Sequence, residues 1–282
     1  MLKALTRAGI GAVGSIQDFV RAAAEHEFEA ITAGGTELEE WIAQDGAESV
    51  NSFLREQGIQ IGSIGLSVQW RNSEEEFRSG LARLAKDAEA AAAVGCTTCT
   101  TYVLPSTDHN AAHFMAIATR RLRTCAQILA PYGISFGLEF VGPHHLRTRW
   151  ANPFIWGLQE TLDWIDAIGE RNVGLLFDSY HWYTNGLGVD DILRLDASQI
   201  VLAHINDAPD VPLAEVLDNE RVYPGEGVID LTGFLRGLHQ IGYTGLVAQE
   251  ILTPQPSTEP SSVLLKRSQE AFRKVYTEAG LQ

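Results

Sequence analysis

Four polar residues interrupt four apolar runs in the second half of the chain: Glu139 in "ISFGLEFVG", Asp178 in "GLLFDSYHWYTNG", His204 in "IVLAHIND" and Glu250 in "GLVAQEIL". Each run alternates with the two-residue period of a strand. In the first, Ile134, Phe136, Leu138 and Phe140 share one face, while Ser135, Gly137 and Glu139 share the other. Val173, Leu175 and Phe177 likewise oppose Gly174, Leu176 and Asp178, and Val201, Ala203 and Ile205 oppose Leu202 and His204. In the last run Leu246, Ala248 and Glu250 fall together, which leaves Gln249 as a polar blemish on the face expected to meet helices.

Three carboxylates and one imidazole delivered to the same end of neighbouring strands are hard to reconcile with packing alone. A buried carboxylate is costly unless paired or metal-bound, and converging carboxylates repel and push one another's pKa upward. One shared divalent cation resolves the conflict. Oxygen ligands with one imidazole suit Mn²⁺, Zn²⁺, Co²⁺ or Mg²⁺, and Mn²⁺ is the first expectation.

Such a cluster requires parallel strands that end together. Strand-like runs near residues 2–9, 28–32, 60–67, 97–103, 134–140, 173–178, 200–205 and 246–250 alternate with helical patterns near 15–26, 36–57, 73–94, 109–132, 158–170, 188–197, 229–241 and 260–279. That makes eight of each, the alternation of a (β/α)8 TIM barrel in the α/β class. Ser73 before "EEEF" predicts a helix N-cap, and Gly133 predicts a helix stop. No linker or low-complexity segment divides the chain, so residues 1–282 are read as one barrel domain. No G-x-G-x-x-G follows the first strand, which argues against a dinucleotide-binding open sheet. In a parallel barrel, functional groups stand at the C-terminal ends of strands, where all four polar residues fall.

Composition narrows the partners. With 21 Lys+Arg against 36 Asp+Glu the formal charge is −15, which disfavours nucleic acid and anionic membranes. The N-terminal "MLKALTRAGIGAVG" lacks a long apolar core, and no run of about eighteen apolar residues occurs. A cytoplasmic protein is the expectation. Cys96 and Cys99 form a C-x-x-C on a strand-like run, where residues three apart point to opposite faces, so neither a redox nor a metal role is expected of them.

The segments "GLEFVG" at 137–142, "NVGLLFDSYHWYTNG" at 172–186, "HINDAPDVP" at 204–212, "NERVYPGEGVIDL" at 219–231 and "IGYTGLVAQEIL" at 241–252 together resemble the xylose isomerase-like TIM barrels. These barrels form the sugar phosphate isomerase/epimerase group, and the likeness is nearest to its inosose (2-keto-myo-inositol) isomerase-like branch. The first half resembles the family only in its βα rhythm. The resemblance implies that Glu139, Asp178, His204 and Glu250 bind one divalent metal and that the two glutamates exchange protons with the substrate. It also implies that His181 meets a substrate hydroxyl. The implied reaction is isomerisation or epimerisation of a ketose or keto-inositol through an enediolate. Dehydration of a keto-polyol at the same site and a non-catalytic sugar-binding barrel are the alternatives. The zinc endonuclease type of the same fold needs histidines on earlier strands, and "QIGSIGLS" and "TTCTTYVL" have none.

Several further residues are candidates for the pocket of a small sugar or polyol. Arg221 carries a planar fork suited to a hydroxyl or carboxylate, with an ion pair to Glu220 or Glu226 as its ordinary use. Trp182 is taken as substrate-binding, and Trp70, Trp150, Trp156 and Tyr183 lie in loops where aromatics could wall the pocket. Asn206 and Asp207 either serve the site or close the loop after the seventh strand.

Overall fold

Eight short, largely apolar strands close into a parallel barrel in the computed structural model, which describes residues 1–281. They are β1 (Leu2–Leu5), β2 (Ala30–Ala33), β3 (Gln60–Gly65), β4 (Thr98–Val103), β5 (Ser135–Phe140), β6 (Val173–Asp178), β7 (Ile200–Ile205) and β8 (Leu246–Gln249). Each pairs with its sequence neighbours, and β1 pairs with β8 to complete the ring. The (β/α)8 expectation holds.

Eight helices form the outer layer: α1 (Ile16–Glu25), α2 (Gly35–Asp45), α3 (Ala47–Gln57), α4 (Glu74–Ala93), α5 (Ala111–Leu129), α6 (Leu158–Ile168), α7 (Leu231–Gln240) and α8 (Ser261–Ala279). Ser73 caps α4 as its sequence predicts, in a reciprocal box with Glu76. Gly133 adopts the left-handed conformation, with φ of 70°, one short turn beyond α5.

Three elements depart from expectation. The helical pattern 36–57 is two helices, because Gly46 sits between them at φ 80° and ψ 145°, a conformation that ends one helix and starts another. The pattern at 188–197 supplies only Val189–Ile192, since Asp196 accepts from the Ser198 N–H at 2.8 Å and draws the chain into a separate turn. The first strand stops at Leu5 rather than running to residue 9. Gly9 there has φ of 81° and lies so close to Ile251 that no side chain fits.

Ala4, Ala30 and Ala248 form a layer in the barrel interior above Leu246, so small residues leave the upper part of the axis for larger polar groups. The outward phase of β5 and β6, including Phe136, Leu138, Phe140, Leu175 and Phe177, is buried under the helices. Gln249 also points outward. Its Nε2 donates to Ser268 Oγ on α8 at 2.9 Å, which provides a partner for a polar group in an otherwise apolar layer. Cys96, Cys99 and Cys125 are buried and free. Among the described residues no helix is long and apolar enough to cross a membrane.

Candidate metal centre

The strand register brings the four polar residues to one point. Asp178 and His204 are direct Cα partners at the ends of β6 and β7, so their side chains leave the sheet at the same level on the axis-facing side. Glu139 pairs with Leu176 on β6, and Glu250 follows β8 immediately, its N–H donating to the Ile205 carbonyl at 3.2 Å. One ligand atom from each of Glu139, Asp178, His204 and Glu250 falls within 4.8 Å of all the others.

His204 Nδ1 lies 3.3 Å from Glu139 Oε1, 3.5 Å from Glu250 Oε2 and 3.7 Å from Asp178 Oδ2. None of these approaches is aligned as a hydrogen bond, and both His204 Nδ1 and Glu139 Oε1 are buried without a hydrogen-bond partner. Buried polar atoms normally have one. Their convergence, together with a donor set of three carboxylates and one imidazole, fits a divalent cation held between them.

The electrostatics of the cluster point the same way. Burial raises the pKa of Glu139, and the nearby Glu250 carboxylate raises it further. Burial opposes the charged form of Asp178 as well, yet the Arg221 guanidinium holds its pKa well below the usual carboxylate range. For Glu250, burial is outweighed by His204 and then Arg221, leaving a pKa of about 2. Burial works against the His204 imidazolium, but the three carboxylates, led by Glu250, hold its pKa well above the ordinary range. The cluster therefore demands positive charge at its centre, and a proton on His204 or a divalent cation answers that demand.

Supporting groups fix each ligand. Asp178 caps the short helix Ser179–Thr184, its Oδ1 accepting from the Tyr180 N–H at 2.6 Å. Asn206 Nδ2 donates to both Asp178 oxygens. Arg221 is buried, and its Nη1 donates to Asp178 Oδ2 at 3.0 Å and Glu250 Oε2 at 2.8 Å. Its Nη2 donates to Asp218 Oδ1 at 2.9 Å. The expected alternatives Glu220 and Glu226 are not its partners. The fork of Arg221 thus engages Asp178, Glu250 and Asp218.

His181, one turn after Asp178, is buried with Nδ1 accepting from the Gly142 N–H at 3.2 Å. This assigns its proton to Nε2. Gly142 permits the contact, since a side chain there would run into Thr184 and Asn185. Trp182 does not share this orientation. Successive helical residues point about 100° apart, and the indole packs on Phe234 of α7 with ring centroids 5.4 Å apart, its Nε1 donating to the Gly188 carbonyl. The indole of Trp182 is therefore turned toward α7 and buried there. Trp70 likewise packs in the helix layer, stacked on Phe114. Asp207 closes the following loop: its carboxylate accepts from the N–H groups of Ala208, Gly225, Gly227 and Ile229 at 2.8–3.0 Å.

A cavity of about 600 Å³ bordered by Arg7, Gly9, Arg221, Tyr223 and Ile251 opens beside the cluster, at the β1 and β8 side of the mouth. Another of about 650 Å³ lies against the start of α6, between Trp156, Asp163 and Arg194, and neither cavity is lined by any of the four residues. Size alone does not locate the chemistry here.

The model of the family described as xylose isomerase-like TIM barrel matches residues 20–275. The chain belongs to that family. Among its relatives, inosose isomerase from Bacillus velezensis is 33% identical over 157 residues, which is 56% of this chain and 54% of the relative. The chain thus spans about half the length of the curated relatives it matches. A solved xylose isomerase domain protein from Alicyclobacillus acidocaldarius superposes with a TM-score of 0.90 at 32% identity over 99% of both chains. The IOLI protein, solved with a bound zinc atom, shares the fold with a TM-score of 0.81 at 19% identity, again over 99% of both chains.

Proposed function

We propose that this xylose isomerase-like barrel is a divalent-metal-dependent isomerase or epimerase of a ketose or keto-inositol. The observation that carries this reading is the approach of Glu139 and Glu250 to the same His204 nitrogen, at 3.3 and 3.5 Å, from strands separated by β6 and β7. Two carboxylates so placed flank whatever lodges above the imidazole. The inosose isomerase relatives and the zinc in a barrel of the same fold support it.

Moving a hydrogen between carbons beside a carbonyl requires a base, an acid and stabilisation of the negative charge that develops on oxygen. A divalent cation held by Glu139, Asp178, His204 and Glu250 supplies that stabilisation as a Lewis acid when bound, with Mn²⁺ the first expectation and Zn²⁺, Co²⁺ or Mg²⁺ the alternatives. One of the two glutamates removes the proton, and the other returns a proton to the enediolate at the neighbouring carbon or the opposite face. His181, with its proton on Nε2, donates to a substrate hydroxyl. Arg221 orients the Glu250 carboxylate and keeps Asp178 ionised. Dehydration of a keto-polyol would start from the same proton abstraction and end in loss of a hydroxyl.

The test is deuterium incorporation from D₂O into a panel of ketoses and keto-inositols, with protein reconstituted with Mn²⁺ and with the metal chelated away. Exchange beside the carbonyl that requires metal and disappears in Glu139→Gln and Glu250→Gln is the expected result. Tight metal binding without exchange on any member of the panel would overturn the reading.

A further inference from the structure

Tyr102 occupies a position that the chemistry above does not use. It is the Cα partner of Glu139 across β4 and β5, and paired residues of parallel strands project to the same face. Its side chain therefore stands on the axis side of the barrel, level with a glutamate of the cluster. Interior positions of a barrel are ordinarily filled and covered, yet Tyr102 is 48% exposed. It borders the open mouth.

Its other surroundings fix the ring in place. The Arg71 guanidinium lies over the Tyr102 ring, 3.9 Å from its centroid, and over the Trp70 ring at 4.3 Å. Arg71 also donates to the Tyr102 carbonyl oxygen, while its buried Nε has no partner. The Trp70–Asn72 loop that presents Arg71 is itself anchored from below, since Arg121 Nη1 donates to the carbonyls of Trp70 and Asn72 at 2.9 and 2.7 Å. Among the described residues no carboxylate is in ion-pairing reach of Arg71, so the two aromatic faces are its main compensation. A half-buried guanidinium held by two aromatic faces and one carbonyl, with its Nε unpartnered, is an expensive way to fill space. It makes sense as a clamp that sets the plane of the Tyr102 ring.

We infer that Tyr102 is a specificity-determining platform: its uncovered face receives the C–H face of a six-membered cyclic polyol ketone, and Arg71 positions the ring from behind. This inference rests on the isomerase reading above and narrows its substrate class. The negative face of an aromatic ring attracts the weakly positive hydrogens of a flat saturated ring. A cyclitol with mostly equatorial hydroxyls presents such a face and leaves its hydroxyls free for His181 and the cluster. An open-chain ketose presents no comparable surface. A ring already locked in its bound orientation adds affinity by avoiding an ordering cost.

The experiment measures kcat and KM for metal-dependent deuterium exchange on two probes, 2-keto-myo-inositol and L-erythrulose, a four-carbon ketose unable to close a six-membered ring. Mn²⁺-reconstituted wild type is compared with Tyr102→Phe, Tyr102→Leu and Arg71→Met, each checked for an unchanged melting temperature. The platform requires KM for the keto-inositol to rise about tenfold in Tyr102→Leu, with kcat nearly constant and both erythrulose constants unmoved. Tyr102→Phe keeps the aromatic face and stays near wild type, while Arg71→Met raises the same KM by about threefold. An unchanged keto-inositol KM in a folded Tyr102→Leu, or an equal loss on both probes, overturns the platform and leaves the isomerase reading standing. A wild type that exchanges only erythrulose overturns the platform as well. A wild type silent on both probes and on the wider panel removes the reading and the platform together.

Discussion

Asn206 Nδ2 donates to both carboxylate oxygens of Asp178, at 3.1 and 3.2 Å, and both residues are fully buried. The amide thereby sets the orientation of the carboxylate. Loss of a partner of this kind typically weakens metal binding by roughly 10- to 100-fold. Asn206→Leu, of similar size, is expected to weaken Zn²⁺ binding in that range with the fold intact. Calorimetric titration of the metal-stripped protein checks it, and wild-type affinity in the variant would count against this role.

Asp207 supports a loop rather than the metal ligands. Four backbone N–H groups converge on its carboxylate, three of them from the loop between Gly225 and Ile229. Asp207→Ala leaves them without an acceptor. A hydrogen bond to a charged group contributes about 1.5–3 kcal/mol, so the substitution is expected to destabilise the protein by at least that much. Gly227→Ala should produce a similar loss by a different route, because its side chain would run into the Ala208 carbonyl and the Asp207 carboxylate. Urea denaturation of both variants measures the loss, and an unaltered midpoint in either would contradict the account.

His181 and Gly142 form a coupled pair. Because Nδ1 is occupied by the Gly142 N–H, His181 can offer only a donor. His181→Asn is expected to lower kcat/KM for exchange by roughly 100-fold while leaving metal affinity within about twofold. Gly142→Ala should lower the same ratio by pushing His181 out of line. Metal titration and exchange kinetics on the two variants separate this from a general loss of structure.

The thiols provide a check that is independent of activity. Burial pushes Cys96 up to about 11 and Cys125 up to about 12, and Cys99 lies well above the usual thiol range for the same reason. The native protein at pH 8 should resist a thiol-specific reagent, and all three cysteines should react after denaturation. Since a thiol in the unfolded chain ionises near 8.5, these groups favour the native state fully below that pH. The contribution declines as pH rises toward the folded values. Rapid labelling of the native protein would show that the helix layer opens far more readily than its packing implies.

The strands that carry the cluster were legible because alternation at period two ties a residue's position to its face. Glu139, Asp178 and His204 could therefore be placed on the axis side before any contact was known. Gln249 looked anomalous only because its partner, Ser268, lies 19 residues away on a helix. Long-range pairing is what the local pattern lacks: Arg221 reaches Asp178 across 43 residues, and nothing near Arg221 announces it. Trp182 was read as a loop aromatic, because nothing local in "SYHWYT" announces the short helix that turns its indole toward α7. Tyr102 went unremarked inside a run of threonines and cysteines, where an aromatic reads as an ordinary strand former. Its phase with Thr100 was the available signal.

The four residues of the cluster belong to one contiguous arc, β5 to β8, while Tyr102 and the loop bearing Arg71 belong to the opposite one. With the roles proposed above, a barrel arranged this way separates reacting from choosing. Insertions or exchanges in the loops after β1 to β4 can reshape the chamber without moving a single ligand, so one half of the ring can drift toward new substrates while the other half keeps its chemistry.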